Sequence, residues 1–265
     1  MRPWFGLIST IAMAGAALAA STDAEPIFDV AHLDVLPVVS GNVNFLQQGY
    51  SLLFKYRDRS VTDEGLRSFR VLNLVQPSNH SEIVQEWASQ EAYERHLGQR
   101  HTLEFRFGVQ GDPKFGGACC VGSPLDDRLY RLVRSFALPW SNAAVPATVG
   151  PAGALFVISY VEFLPHAAAM TGAEDLNRYG EASARDNATR ALSFSVLQQL
   201  DRPRRYALLE VWDNRRSYDA WQASATSHEF VVNVRPLLAA PIDRRLTMLC
   251  GESFVDNVGC VSRKP

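Results

Sequence analysis

Between Ile27 and Pro37 the chain alternates so that neither face of a strand is wholly polar. Phe28, Val30, His32, Asp34 and Leu36 fall on one face, and Ala31, Leu33 and Val35 on the other. Both faces therefore need covering, and one of them admits two polar groups. Across residues 41–58, Phe45, Leu46, Gly49, Leu52, Leu53 and Tyr56 follow the 3.6-residue spacing of an amphipathic helix. Residues 68–75 and 82–87 read as two strands around a Pro77-Ser78-Asn79-His80 turn. Ser89 caps a second helix running to about Phe107, with Tyr93 and Leu97 on one side, and residues 128–133 form a closing strand.

Strand, helix, two hairpin-paired strands, helix, strand is a βαββαβ order. It makes a ferredoxin-like α+β unit, an antiparallel sheet with both helices on one face. The other face still carries apolar residues, and a second sheet must bury it. The same chain offers one, because its motifs recur in order. Residues 27–37 reappear at 155–165, Ser68-Phe69-Arg70-Val71-Leu72 as Ser193-Phe194-Ser195-Val196-Leu197, and Trp87 with Tyr93 as Trp212 with Tyr218. The displacement runs from 128 positions (Leu36 to Leu164) down to 117 (Pro124 to Pro241), which is domain-sized. The expected architecture is two tandem βαββαβ domains, residues 26–135 and 154–252, forming one intramolecular dimeric α+β barrel. Residues 136–153 serve as linker and 253–265 as a C-terminal tail. Residues 108–122, with Gly111, Gly116 and Gly117, read as a surface insertion in the first copy.

Composition narrows the class. A net charge of −2 with mixed signs leaves no electrostatic footprint for nucleic acid. Met1-Arg2-Pro3, an uncharged apolar stretch from Trp4 to Leu18 and the Ala17-Leu18-Ala19 site form a signal-peptide pattern over residues 1–20. A periplasmic or secreted protein with no integral membrane segment after cleavage is expected. In that setting Cys119, Cys120, Cys250 and Cys260 are disulfide candidates, with a bond from the insertion to the tail preferred. No Cys-x-x-Cys or clustered-histidine spacing signals a metal.

Several of these segments carry a family resemblance. Ala-His-x-Asp-Val-Leu-Pro on the first strand, Asn79-His80 before a strand ending in Trp87, His96 and His101 in the next helix, and Pro-x-Asp-x-Arg-Leu in the closing strand resemble the antibiotic biosynthesis monooxygenase family. So do the Leu197–Pro203 and Leu209-Glu210-Val211-Trp212 runs of the second copy. The resemblance implies the dimeric α+β barrel, with a pocket between each sheet and its helices. It also implies oxidation of quinol-like or phenolic small molecules by O2 as co-substrate, with no cofactor and no metal. The partner would be a small aromatic molecule, and a monomer suffices because the barrel is intramolecular. A non-catalytic small-molecule-binding or structural barrel is the alternative, and heme binding or degradation a third reading.

The chemistry requires a base for the phenolic proton, donors for reduced oxygen and apolar walls. In the first copy His80, Asn79, His96 and His32 are the catalytic candidates, and Trp87, Asp34, Tyr93 and His101 the substrate-binding ones. His96 and His101 lie five residues apart, about 140° around a continuous helix, so the two are not expected in one pocket. The second copy replaces His32 by Tyr160, His96 by Trp221 and His101 by Thr226. It therefore reads as degenerate, with the narrower cavity. Gln85 stands where the family's glutamate precedes the tryptophan.

Overall fold

A computed structural model describes residues 25–37, 39–40, 43–75, 79–111, 114, 125–137, 154–166, 171–186, 191–249, 255–256 and 259–260. Eight strands form one closed barrel. In the first half they are β1 (Ile27–Asp34), β2 (Leu66–Leu74), β3 (His80–Trp87) and β4 (Asp126–Ala137). In the second they are β5 (Leu155–Glu162), β6 (Ser193–Gln199), β7 (Arg205–Trp212) and β8 (Asp243–Leu249). Around the barrel the order is β1-β3-β2-β8-β5-β7-β6-β4, closing from β4 to β1. Each half thus contributes a four-stranded antiparallel sheet of order 4-1-3-2, and the edge strands of one half pair with those of the other. The structure is the intramolecular α+β barrel expected from the sequence.

Strand alternation sorts the core into three layers. Phe28, Val30, Leu72, Val84, Tyr130, Phe156, Ile158, Leu197, Ala207, Leu209 and Val211 fill the barrel interior. On the outward face of the first sheet Ala31, Leu33, Phe69, Val71 and Ile83 pack against Leu46, Tyr50, Leu53, Tyr56 and Phe105. The second half buries a matching cluster around Val157, Phe194, Val196, Leu208 and Trp212. Burying one such side chain stabilises the fold by roughly 1.5–3 kcal/mol, so the continuous apolar faces account for both the closure and the helix layer.

The helices of the first half are α1 (Phe45–Ser60), α2 (Gln90–Leu97) and α3 (Arg100–Val109). Those of the second are α4 (Gly172–Arg185), α5 (Arg215–Gln222) and α6 (Ala225–Val234). Asn44 caps α1 by accepting from the Gln47 amide at 3.1 Å, and Ser89 caps α2 by accepting from Ala92 at 3.2 Å. Here the structure corrects the expectation of one helix from Ser89 to Phe107. Gln99 adopts an extended backbone (φ −71°, ψ 145°) and splits that segment in two. The break recurs in the second half, where Ser224 caps α6 by accepting from the Ser227 amide at 3.1 Å. His80, expected in the turn, is the first residue of β3, and β4 runs further at both ends than residues 128–133.

The two seams between halves differ. β4 pairs with β6 from Tyr130↔Gln199 to Ala137↔Ser193, with a bulge between Leu132 and Arg134. β2 meets β8 at Leu74↔Thr247, Asn73↔Met248 and Leu72↔Leu249. A cleft opens beside the shorter seam. No helix among the described residues is long and apolar enough to cross a membrane. The expected signal peptide, Cys119, Cys120 and Cys250 lie outside the described residues, as does the side chain of Cys260, whose backbone pairs with Val255.

Candidate functional site

Beneath the helices of the first half, a chain of polar side chains runs from the core to a cavity wall. Trp87 Nε1 donates to Gln85 Oε1 at 3.1 Å, and Gln85 Nε2 donates to the Tyr56 hydroxyl at 3.1 Å. Tyr56 lies 2.7 Å from His96 Nε2, and His96 Nδ1 lies 2.5 Å from Asp63 Oδ2. The same carboxylate oxygen is 2.9 Å from His101 Nε2. One assignment of protons satisfies every link. Burial holds the His96 pKa below the ordinary histidine value, against the pull of Asp63, so the ring is neutral. It then accepts from Tyr56 at Nε2 and donates to Asp63 at Nδ1. His101 Nε2 also donates to Asp63, which makes Nδ1 the acceptor nitrogen of that tautomer.

Local structure explains the convergence. Asp63 sits in the turn that follows α1, where its amide bonds to Ser60 O at 2.9 Å and its carbonyl accepts from Leu66 at 3.2 Å. Gly65 completes that turn at φ +88°, a conformation in which a β-carbon would also meet Ala92 Cβ at 2.6 Å. The break between α2 and α3 resets the helical phase, and so His96 and His101 meet at one carboxylate with ring centroids 5.5 Å apart. This overturns the expectation that both could not serve one site. Trp87 is fully buried and packs 4.5 Å from the His96 ring, with Tyr93 at 6.2 Å.

Asp29, on β1 opposite Gln85, is buried beside this chain, and its Oδ1 has no hydrogen-bond partner. Burial raises its pKa to about 7, although Arg106 draws it down. The second half holds the same layout with the groups exchanged. Its paired positions are Val157 and Glu210, and Glu210 is likewise pushed by burial to about 7. Trp212 Nε1 donates to Glu210 at 3.0 Å, and Trp221 Nε1 donates to the Tyr179 hydroxyl at 2.9 Å. No imidazole stands in that chain: Trp221 replaces His96 and Thr226 replaces His101.

A second polar cluster occupies the opposite face of the first sheet, at the mouth of the barrel. Cross-strand pairing sets His32 against Glu82 and Asp34 against His80. His32 Nε2 and His80 Nδ1 approach Asp34 Oδ1 to 2.7 and 2.6 Å. His32 Nδ1 lies 3.0 Å from Glu82 Oε1, which is also paired with Arg245, while the Tyr160 hydroxyl donates to Glu82 Oε2 at 3.1 Å. Burial opposes the His32 imidazolium, but the Glu82 hydrogen bond and the nearby carboxylates leave its pKa raised.

Two grooves bear on these clusters, and the second half holds a counterpart of one of them. One of 430 Å³ between α1 and α3 is lined by Leu52, Tyr56, Phe105 and His101, together with Lys55, Arg59, Arg100, Glu104 and Lys114. Its counterpart between α4 and α6 measures 490 Å³. A third, of 420 Å³, lies at the short seam beside His32 and His80.

Comparison with known proteins bears on the family and the fold. Residues 173–233 match the antibiotic biosynthesis monooxygenase family model. Curated protein sequences give no significant match. Among solved structures, a candidate monooxygenase from Fusobacterium nucleatum is 13% identical, with a TM-score of 0.65 over 85% of this chain and 93% of its own. A candidate monooxygenase from Lactobacillus acidophilus gives 12% and 0.60 over 85% and 94%. An anthrone oxidase-like protein gives 15% and 0.60 over 87% and 93%. At such identities these structures establish the shared barrel, and function has to be argued from the site.

The antibiotic biosynthesis monooxygenase match therefore falls in the half that has Trp221 and Thr226 in place of His96 and His101. The sequence had gathered His32, Asn79, His80, His96 and Trp87 into one pocket, and the structure separates them. Odd-numbered positions of β3, such as Trp87, face the helices, and even-numbered positions, such as His80, face the barrel mouth. The Asn79 amide is engaged in a 2.9 Å bond to the Val35 carbonyl that ties the hairpin to the strand end. The second half's groove is also not the narrower one. Asp63, Tyr56 and Asp29 were missed. An Asp-Glu-Gly turn directly after an amphipathic helix was the available signal for Asp63, and a lone acid among the apolar residues of β1 the signal for Asp29.

Proposed function

We propose that the protein is a monooxygenase that oxidises a phenolic or quinol-like molecule with O2, with no resident cofactor, in the groove between α1 and α3. The observation that carries this reading is the hydrogen-bonded chain from His101, on the groove wall, through Asp63 and His96 to Tyr56. A volume of 430 Å³ suits one or two fused aromatic rings. Leu52 and Phe105 supply apolar surface, and Lys55 favours an anion, while Arg59 and Arg100 are paired with Glu104. His101 accepts the phenolic proton, and Asp63, a positioning residue, steadies the imidazolium that forms. The resulting phenolate passes electrons to O2. One oxygen atom enters the ring as a carbonyl at the expense of two hydrogens, and the other leaves as water, so a phenol and O2 become a quinone and H2O.

The test is oxygen consumption by the full chain, with a chelator present, across hydroquinones, naphthols and anthrone-like phenols. Uptake above autoxidation that falls at least tenfold in His101→Gln and Asp63→Asn supports the reading. Binding of the same phenols without oxygen uptake would favour the non-catalytic barrel.

A further inference from the structure

We infer that His32, Asp34 and His80 form a binding site for a divalent first-row transition metal at the mouth of the barrel. The ligand atoms of the three residues lie within 4.8 Å of one another. Both imidazole contacts converge on a single oxygen, Asp34 Oδ1, at 2.7 and 2.6 Å. Adjacent ligands of an octahedral ion with bonds of about 2.1 Å stand about 3 Å apart, so small outward movements make room for one. Two imidazole nitrogens and one carboxylate oxygen suit Fe2+, Co2+, Ni2+ or Zn2+, and such a set leaves further coordination positions open.

The outer shell is that of a metal-bound histidine. His32 Nδ1 lies 3.0 Å from Glu82 Oε1 and 2.8 Å from Arg245 Nη1, and a carboxylate beside Nδ1 supports the tautomer that presents Nε2 to a metal. Glu82 is itself fully buried and held by Arg245 and by Tyr160, two residues of the other half. When Nδ1 donates to Glu82, the Nε2 lone pair faces the Asp34 carboxylate at 2.7 Å, an arrangement that a metal ion between them makes favourable.

His32 and His80 line the 420 Å³ cleft, from which a co-ligand can reach an ion held by them. The other half provides an internal contrast. The register of β5 and β7 puts Tyr160 opposite Ala207 and Glu162 opposite Arg205. A 2.9 Å Glu162–Arg205 ion pair occupies the place of the Asp34–His80 pair there, and no such triad stands among the described residues of that half. The site lies across the sheet from Asp63, His96 and His101, so it stands or falls apart from the reading of the groove.

Cobalt(II) is the probe. The full chain is stripped with chelator, titrated with Co2+ and followed by its visible ligand-field bands, with bound metal measured after dialysis. One equivalent should bind with imidazole-perturbed bands. His80→Ala and Asp34→Asn should each weaken binding more than about tenfold, while Asp63→Asn leaves the bands in place. Circular dichroism confirms that each variant is folded, and His80→Gln repeats the test should His80→Ala not fold. A chain that binds no cobalt, or one whose bands vanish in Asp63→Asn and persist in His80→Ala and Asp34→Asn, overturns the inference.

Discussion

The two halves of the barrel bury one carboxyl each under their helices, but on different strands. In the first half the acid is Asp29 on β1, facing Gln85; in the second it is Glu210 on β7, facing Val157. Both are raised by burial to about 7. The tryptophan two residues beyond the β3 or β7 position donates to it in either case, so amide and carboxylate are interchangeable as acceptors. What differs is the next link. Tyr56 leads through His96 and Asp63 to a histidine on a groove wall, whereas Tyr179 ends at Trp221 and Gln222. Among the described residues, one framework thus carries a hydrogen-bonded chain that ends in histidine in one half and in tryptophan and glutamine in the other.

The largest expected effect tests the shared part. Trp87→Ala and Trp212→Ala each remove a fully buried ring and should each cost about 3–5 kcal/mol, read from urea denaturation. A loss below 1 kcal/mol at either position would mean that this ring does not anchor its half.

The carboxyls provide the next test, through pH. Each is raised from an unfolded value near 4 to about 7 in the folded chain. Between those values the folded state binds the extra proton, so the stabilisation is full below about pH 4 and is lost as the pH climbs through 7. Asp29→Asn and Glu210→Gln should therefore gain on the parent above pH 7, by up to about 3–4 kcal/mol each. Stability curves that run parallel for parent and variants from pH 5 to 8 would show that neither acid is protonated in the fold.

Exchanging the histidine should have a small effect on stability. His101→Thr, the residue type of the second half, removes a largely buried hydrogen bond to Asp63 and should cost about 0.5–1.5 kcal/mol by thermal or urea melting. A larger loss would make that pair structural in the first place.

The contrast between halves was partly legible in the sequence. The βαββαβ order and the absence of histidine at Tyr160, Trp221 and Thr226 could be read directly, because alternation and repeat spacing are local signals. Which side chains share a site could not. His80 and Trp87 belong to one strand, and parity alone sends them to opposite faces. His96 and His101 seemed 140° apart because the break at Gln99 was not recognised, although Gly98 before it, with its low helix propensity, and the Ser224 cap in the second half both mark it. Asp63 joins them only through a turn at Gly65 whose packing against Ala92 is a tertiary fact.

The central claim is that chemistry resides in the first half and that His101 is its base. Oxygen uptake with a phenolic substrate in chelator decides it, comparing His101→Gln with Glu210→Gln in chains that melt alike. The account predicts at least a tenfold loss for His101→Gln and a rate near the parent for Glu210→Gln. Uptake that survives His101→Gln and disappears in Glu210→Gln would contradict it and assign the reaction to the second half.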